Sequence, residues 1–366
     1  MFLKNSEECR ILFVGDTSFG ENYQIHYREK GQKNILQERG YDYPLEQLKD
    51  ILIRSDLVIA NLETPVIDAS MAASTLTRIK KDYIHWTDAQ NAPKYLTKYN
   101  IKVMSLANNH TLDYGLVGLK QTFRNLQNTG IEFFGAGNNE YEAARPYFQE
   151  FSVGRHHFRL AIIAAFEFRE EYGVKFGFYA KCNNAGVNML SIEGISNQIK
   201  DIRRADPETF IIVMPHWGRN YAWKSEKQTT LGHQITDAGA NMVIGHGAHM
   251  MQEIEKYNGH WILYGIGNFM FNSKGRYKKY TVEPFSLVPL LVLKANGDGH
   301  VVKTLQLYLI FTDNRVTNFQ SRMATQNEFK RAYATLSAAC SRPRQFENDV
   351  KKCRDTIGPF MEFLIE

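Results

Sequence analysis

Met242-Val243-Ile244-Gly245-His246-Gly247-Ala248-His249 is an apolar run that breaks into two histidines set among glycines. A buried strand delivers such a loop rigidly. Gly245 and Gly247 let it turn sharply, and the two imidazoles then point at one centre or at two adjacent ones. Four other stretches follow the same plan. Ile11–Val14 runs into Gly15-Asp16, Leu57–Ala60 into Asn61-Leu62-Glu63, Val103–Ala107 into Asn108-Asn109-His110, and Phe210–Met214 into Pro215-His216-Trp217-Gly218. Each places Asp, Asn, Glu or His at the carboxyl end of a strand, the edge where sites form in open α/β sheets. One such run is explained by a helix cap or a turn, which Asp and Asn favour. Five in one chain, with four histidines among them, point to a shared metal centre.

Around these runs, strand and helix signals alternate. Helices are expected near 44–54, 88–98, 115–128, 191–204 and 226–238. Further strands are expected at 131–134, 150–153, 158–166, 261–264, 287–294 and 301–311, with a loop-rich stretch at 168–190. Such alternation defines an α/β fold with layered sheets and helices. From about residue 313 the chain turns polar and helical. Residues 1–312 are therefore read as the main domain and 313–366 as a helical C-terminal extension without strands or chemistry.

Composition excludes several classes. The 366 residues are 43% apolar and 23% charged, ordinary values for a globular protein. No run of about 18 apolar residues is present, so no membrane span is expected. The polar start Met1–Arg10 lacks the apolar core of a signal peptide, and cytoplasm is the expected location. Cys9, Cys182, Cys340 and Cys353 are widely spaced and read as free thiols. A net charge of +5 suits an anionic substrate and is too diffuse for nucleic acid. Arg78 with Lys80-Lys81, lying between two of the site-bearing strands, is the better candidate for gripping a carboxylate or phosphate.

Taken in order, Gly15-Asp16, Ala60-Asn61-Leu62-Glu63, Ser105–His110, Phe134-Gly135-Ala136-Gly137, His216-Trp217-Gly218, Asp237–Ala240, Gly245–His249 and Gly267-Asn268-Phe269 form a specific series. Over roughly residues 10 to 275 the chain resembles the CapA, or poly-γ-glutamate capsule synthesis, proteins of the calcineurin-like metallophosphoesterase superfamily. The resemblance implies a four-layer α/β/β/α sandwich with a metal centre at the strand ends. It makes Asp16 the first-strand ligand, Glu63 the bridging carboxylate, Asn109 an amide-oxygen ligand, and His216, His246 and His249 imidazole ligands. His110 becomes the general acid, with Asp16 beside it in the catalytic centre. The cofactor implied is one or two divalent ions, Mn, Zn or Fe. Two departures stand out: Ser18 occupies the place of the superfamily's second histidine, and Asn220 that of a glutamate common among relatives.

Candidate substrate contacts are Asn61, Arg78, Lys80, Trp217, Tyr221 and Asn268. Trp217 and Tyr221 could equally pack in the core, and Asn268 could orient a ligand or hold a turn. Asp113 is read as the cap of the helix starting near Gly115, and His233 as a surface or packing residue. The expected activity is metal-dependent hydrolysis of an anionic, poly-γ-glutamate-like peptide or a phosphoester. The alternatives are a non-catalytic accessory that binds the polymer or a synthetase partner, and metal-assisted abstraction of an α-proton from a peptide.

Overall fold

Alternate side chains of the strand Glu8–Ser18 enter two different cores, and this period-two division organises the molecule. Ile11 and Phe13 join Ile59, Leu160, Ile162, Ile212, Met214 and Ile244 in one buried cluster built from both large sheets. Leu12 and Val14 face the other way. With Val58 and Ala60 they meet Leu48, Ile51, Leu52, Leu96, Leu119 and Phe123 of the neighbouring helices. The second sheet repeats the arrangement: Ile163, Ile211, Val213 and Val243 turn outward onto Ile195, Ile199, Ile202 and Ile235. Strands buried on both faces read as continuous apolar runs, which is why these segments are so legible in the sequence. The computed structural model describes residues 3–74, 78–296 and 300–365; Met1 and Phe2 of the polar start lie outside the described residues.

Among the described residues the first large sheet has ten strands. Along its main path run Lys351–Arg354, Pro359–Ile365, Val301–Phe311, Phe285–Ala295, Glu8–Ser18, Leu57–Leu62, Val103–Ser105 and Glu132–Phe134, with Asn268–Phe271 also paired to Glu8–Ser18. Its site-bearing strands are parallel, in a register that sets Asp16 beside Asn61 and Asn61 beside Ser105. Asn268 is also opposite Asp16, in parallel. The second sheet, of eight strands, runs through His156–Glu167, Phe210–His216, Met242–Ile244 and His260–Leu263, again parallel. A parallel bridge between His216 and His246 extends it by one step.

Helices form where apolar spacing and caps agree. Ile192–Ala205 buries Ile195, Ile199 and Ile202 on one stripe, and Ser191 accepts from the Gly194 amide at its start. Ser225 and Gln228 make a capping box for Glu226–Asp237. Among the described residues no helix is long and apolar enough to cross a membrane, and the four cysteines are unpaired.

The expectation of a tail without strands is corrected. Gln326–Ala339 and Pro343–Asp349 are helices, but Pro359–Ile365 pairs antiparallel with Val301–Phe311. Phe360, Met361 and Phe363 are buried by that pairing. The run Pro-Phe-Met-Glu-Phe-Leu-Ile alternates too weakly to announce itself, and the unpaired edge of the sheet supplies what the segment lacks alone.

Candidate metal centre

Close backbone approach builds the floor of the centre. The Asp16 amide donates to the Gly267 carbonyl at 3.0 Å, and a Cβ on Gly15 would lie only 1.8 Å from that oxygen, so residue 15 must be glycine. Gly247 has φ +102° and carries the loop past His216. The next ligand candidate, His249, also has a left-handed backbone at φ 58°. A non-glycine residue held there is strained, and such strain is found at functional sites.

On this floor Asp16, Glu63 and His249 each offer a ligand atom, all within 4.8 Å of one another and all buried. His249 Nδ1 stands 3.3 Å from Asp16 Oδ2 and 3.7 Å from Glu63 Oε2. His246 Nδ1 is 3.7 Å from Asp16 Oδ1, and His216 Nε2 is 3.8 Å from Glu63 Oε1. Among the described residues, Asp16 Oδ2, both Glu63 carboxylate oxygens and both His246 nitrogens are buried without a hydrogen-bond partner. Orphaned buried groups cost about 1–3 kcal/mol each, more when charged. So many converging on one point fit a divalent cation, which takes mixed nitrogen and oxygen ligands.

The protonation pattern follows from burial and mutual charge. Burial opposes ionisation of Asp16, but the adjacent His249 ring and the imidazoles around it hold its carboxyl below the usual range. Glu63 is pushed up by burial and by the charge of Asp16. The two carboxylates, outweighing burial, raise His249 to about 9. Burial lowers His216 to about 3 and His246 to about 4, which keeps both imidazoles neutral and ready to ligate.

Around this group the sequence candidates separate into layers. Asn61 lies beneath the centre, its amide donating to Asp16 Oδ1 at 2.8 Å and standing 3.3 Å from His216 Nδ1. Asn61 is fully buried and held by these contacts. Asn268 meets His249, accepting at 2.9 Å while its own amide donates to the Tyr277 hydroxyl. Of the paired asparagines, Asn108 is interior and bonds to Asn61 and the Leu62 carbonyl. Asn109, His110, Asn220, Tyr221 and His249 line a cleft of about 420 Å³ that opens onto the centre.

Three expectations are corrected. Trp217 is fully buried in the outer core of the second sheet and donates to the Tyr264 carbonyl at 2.7 Å, so it is no substrate wall. Arg78 and Lys80 are exposed and do not line the cleft; the neighbouring Lys81 does. Asp113 does not cap the helix Gly115–Asn128. It bonds instead to Lys81, to the His85 amide at 2.7 Å and to His110 Nδ1 at 2.7 Å. His233, expected at the surface or in packing, pairs with Glu255 at 3.0 Å.

His85 and Asp113 are the functional candidates that strand-end reasoning misses. The ring of His85 stacks on His110, and its Nε2 meets the Tyr23 hydroxyl at 2.8 Å. His85 sits at no strand end, in a segment of mixed polarity, so only its ring type marks it. Asp113, three residues beyond His110, carries the i,i+3 spacing that could have joined the two.

A family model for the bacterial capsule synthesis protein PGA_cap matches residues 10–273. The chain belongs to this family, whose members of the CapA type serve capsule and poly-γ-glutamate biosynthesis. It is 30% identical over 289 residues to the PGA biosynthesis protein CapA of Bacillus subtilis (strain 168), covering 78% of this chain and 68% of that protein. Identity is 27% over 279 residues with the capsule biosynthesis protein CapA of Bacillus anthracis, covering 74% and 61%. A probable polyglutamine synthesis accessory protein of Mycobacterium tuberculosis (strain ATCC 25618 / H37Rv) is 31% identical over 229 residues, covering 60% and 57%. The chain thus spans about two thirds or less of these relatives' own lengths.

Proposed function

We propose that the chain is a metal-dependent hydrolase whose substrate is an anionic, poly-γ-glutamate-like peptide, with a phosphoester as the rival substrate class. The observation that carries this reading is the convergence of unpartnered Asp16, Glu63 and His246 atoms with His249 and His216 below a cleft bearing His110. The layering of two sheets between helices supports the four-layer α/β/β/α metallophosphoesterase-type sandwich, with residues 313–366 as an extension of it.

Asp16, Glu63, His216, His246 and His249 would hold the ion, with Asn109 at the cleft edge as a further oxygen ligand. When bound, a divalent ion lowers the pKa of water to about 7 and stabilises negative charge on an attacked oxygen. Asp113 accepts from His110 Nδ1, which leaves Nε2 facing the centre, 3.8 Å from Glu63 Oε1. Burial and the Lys81 ammonium keep the His110 ring neutral. The unprotonated Nε2 would accept the proton released by the attacking water and pass it to the leaving group, with the Asp113 carboxylate supporting the imidazolium in between. Tyr221, with its ring 5.7 Å from that of His249, flanks the reacting group. The four unpaired cysteines support a cytoplasmic location.

The test is turnover of γ-glutamyl peptides and of phosphoesters by the metal-loaded chain, with His110→Ala as control. Loss of about 10²–10⁴-fold with metal retained supports the hydrolase. A relative's name, accessory protein, favours a second reading in which the cleft only binds polymer or a synthetase partner. That reading wins when His110→Ala changes nothing and Tyr221→Ala abolishes binding.

A further inference from the structure

Lys81, Arg169, Lys274, Arg276 and Arg315 line the cleft, and they are of two kinds. Lys81 is paired with Asp113, and Arg169 lies 3.6 Å from Glu167. Among the described residues no carboxylate comes within 4.0 Å of the charged head of Lys274, Arg276 or Arg315. Two of these heads are nevertheless held in place. Lys274 Nζ sits over the Tyr27 ring, 4.6 Å from its centroid, and hydrogen-bonds to Gln32. The Arg276 guanidinium lies 4.7 Å from the centroid of Tyr83.

Tyr83 takes part at a cost in backbone strain, with a left-handed φ of 57° in a non-glycine residue. Aromatic faces fix cationic heads without neutralising them, so the charge remains for a ligand. The cleft of about 420 Å³ is larger than one carboxylate or phosphate and falls in the range of small-molecule sites. It has room for a group at the centre and a neighbouring group on this cationic wall.

We propose that Arg276, supported by Lys274 and Arg315, is a carboxylate subsite that selects an oligomeric substrate with a second free carboxylate beside the group at the metal centre. This inference rests on the peptide reading given above. Arg276 is a specificity residue on this account: a planar guanidinium accepts a carboxylate through two parallel N–H donors.

Calorimetric binding of tri-γ-glutamate and of its α-carboxamide counterpart to the Mn²⁺-loaded full chain tests it. Arg276→Met is expected to weaken the trimer about 10- to 100-fold while leaving the carboxamide and the metal content unchanged. Arg276→Lys, which keeps charge and loses the fork, should fall between the two, and it carries the test when Arg276→Met fails to fold. Equal binding of the two ligands by the native chain overturns the proposal, as does unchanged trimer binding in either variant. Arg276-dependent binding of tripolyphosphate without binding of the trimer also overturns it, reassigning the wall to phosphate. Arg276-dependent trimer binding with no turnover of any peptide leaves the subsite standing and overturns the hydrolase. Peptide turnover indifferent to Arg276 overturns the subsite alone.

Discussion

The imidazole of His85 lies face to face on that of His110, with ring centroids 3.5 Å apart and planes within 4°. Both rings are buried, and both are pushed well below the ordinary histidine range, chiefly by burial. His85 is itself tied down: its Nδ1 is 3.2 Å from the Glu63 carbonyl and its backbone amide donates to Asp113. One aromatic plate thus fixes the tilt of the residue read as the proton donor.

Replacing that plate should misplace His110, while among the described residues the plate's hydrogen-bond contact with the ligand candidates is confined to the Glu63 backbone carbonyl. His85→Ala is expected to lower turnover about 10- to 100-fold, because small misplacements of catalytic groups have effects of that size. Tyr23→Phe, which removes the hydroxyl on His85 Nε2 and keeps the stack, should cost less. Steady-state kinetics with metal content measured in parallel checks both, and an equal loss in the two variants would show that the hydroxyl matters more than the stack.

Lys81 and Asp113 form a nearly inaccessible ion pair, with side-chain exposures of 7% and 0%. Asp113→Ala strands the ammonium in the interior. Breaking a buried pair from one side typically costs about 3–5 kcal/mol, so a marked drop in denaturant midpoint is expected. Lys81→Met combined with Asp113→Leu should recover stability without restoring turnover, since His110 Nδ1 still lacks its acceptor.

Metal affinity should rise with pH. In the metal-free chain burial pushes Glu63 up, and the neighbouring carboxylates hold His249 at about 9. The Glu63–His249 pair therefore retains a proton near neutrality, and a cation must displace it. Titration with Mn²⁺ at pH 6, 7.5 and 9 should show tightening at each step with proton release. Affinity independent of pH would contradict this protonation pattern.

Trp217 belongs to stability rather than to substrate. Trp217→Phe leaves the Tyr264 carbonyl without its indole donor and opens space in a fully buried position. A loss of about 1–3 kcal/mol is expected, with metal content and substrate binding unchanged. A changed substrate affinity at native stability would return Trp217 to the cleft.

What the sequence makes legible is what local periodicity controls. The strand runs ending at Asp16, Glu63, His216 and His246 are apolar on both faces, and their carboxyl ends gather the ligand candidates. Val301–Phe311 and the helices at 115–128, 192–205 and 226–237 fall where spacing and caps put them. Long-range partners are not legible. Pro359–Ile365 becomes a strand because an edge awaits it, and Lys81 differs from Lys80 only in which of them the Asp113 carboxylate captures. Likewise nothing local in Asn61 or Asn268 announces that their side chains bond to Asp16 and His249.

Asp16, Glu63 and His249 are proposed to share one cation. Elemental analysis of the purified chain beside an Asp16→Asn, Glu63→Gln variant measures this directly. At least one equivalent of Mn, Zn or Fe per chain is expected in the native protein and almost none in the variant. Saturation at about 100 times Kd should add about 2.7 kcal/mol to native stability alone. A native chain that holds no stoichiometric divalent metal, and gains no thermal stability when Mn²⁺, Zn²⁺ or Fe²⁺ is supplied, would contradict it.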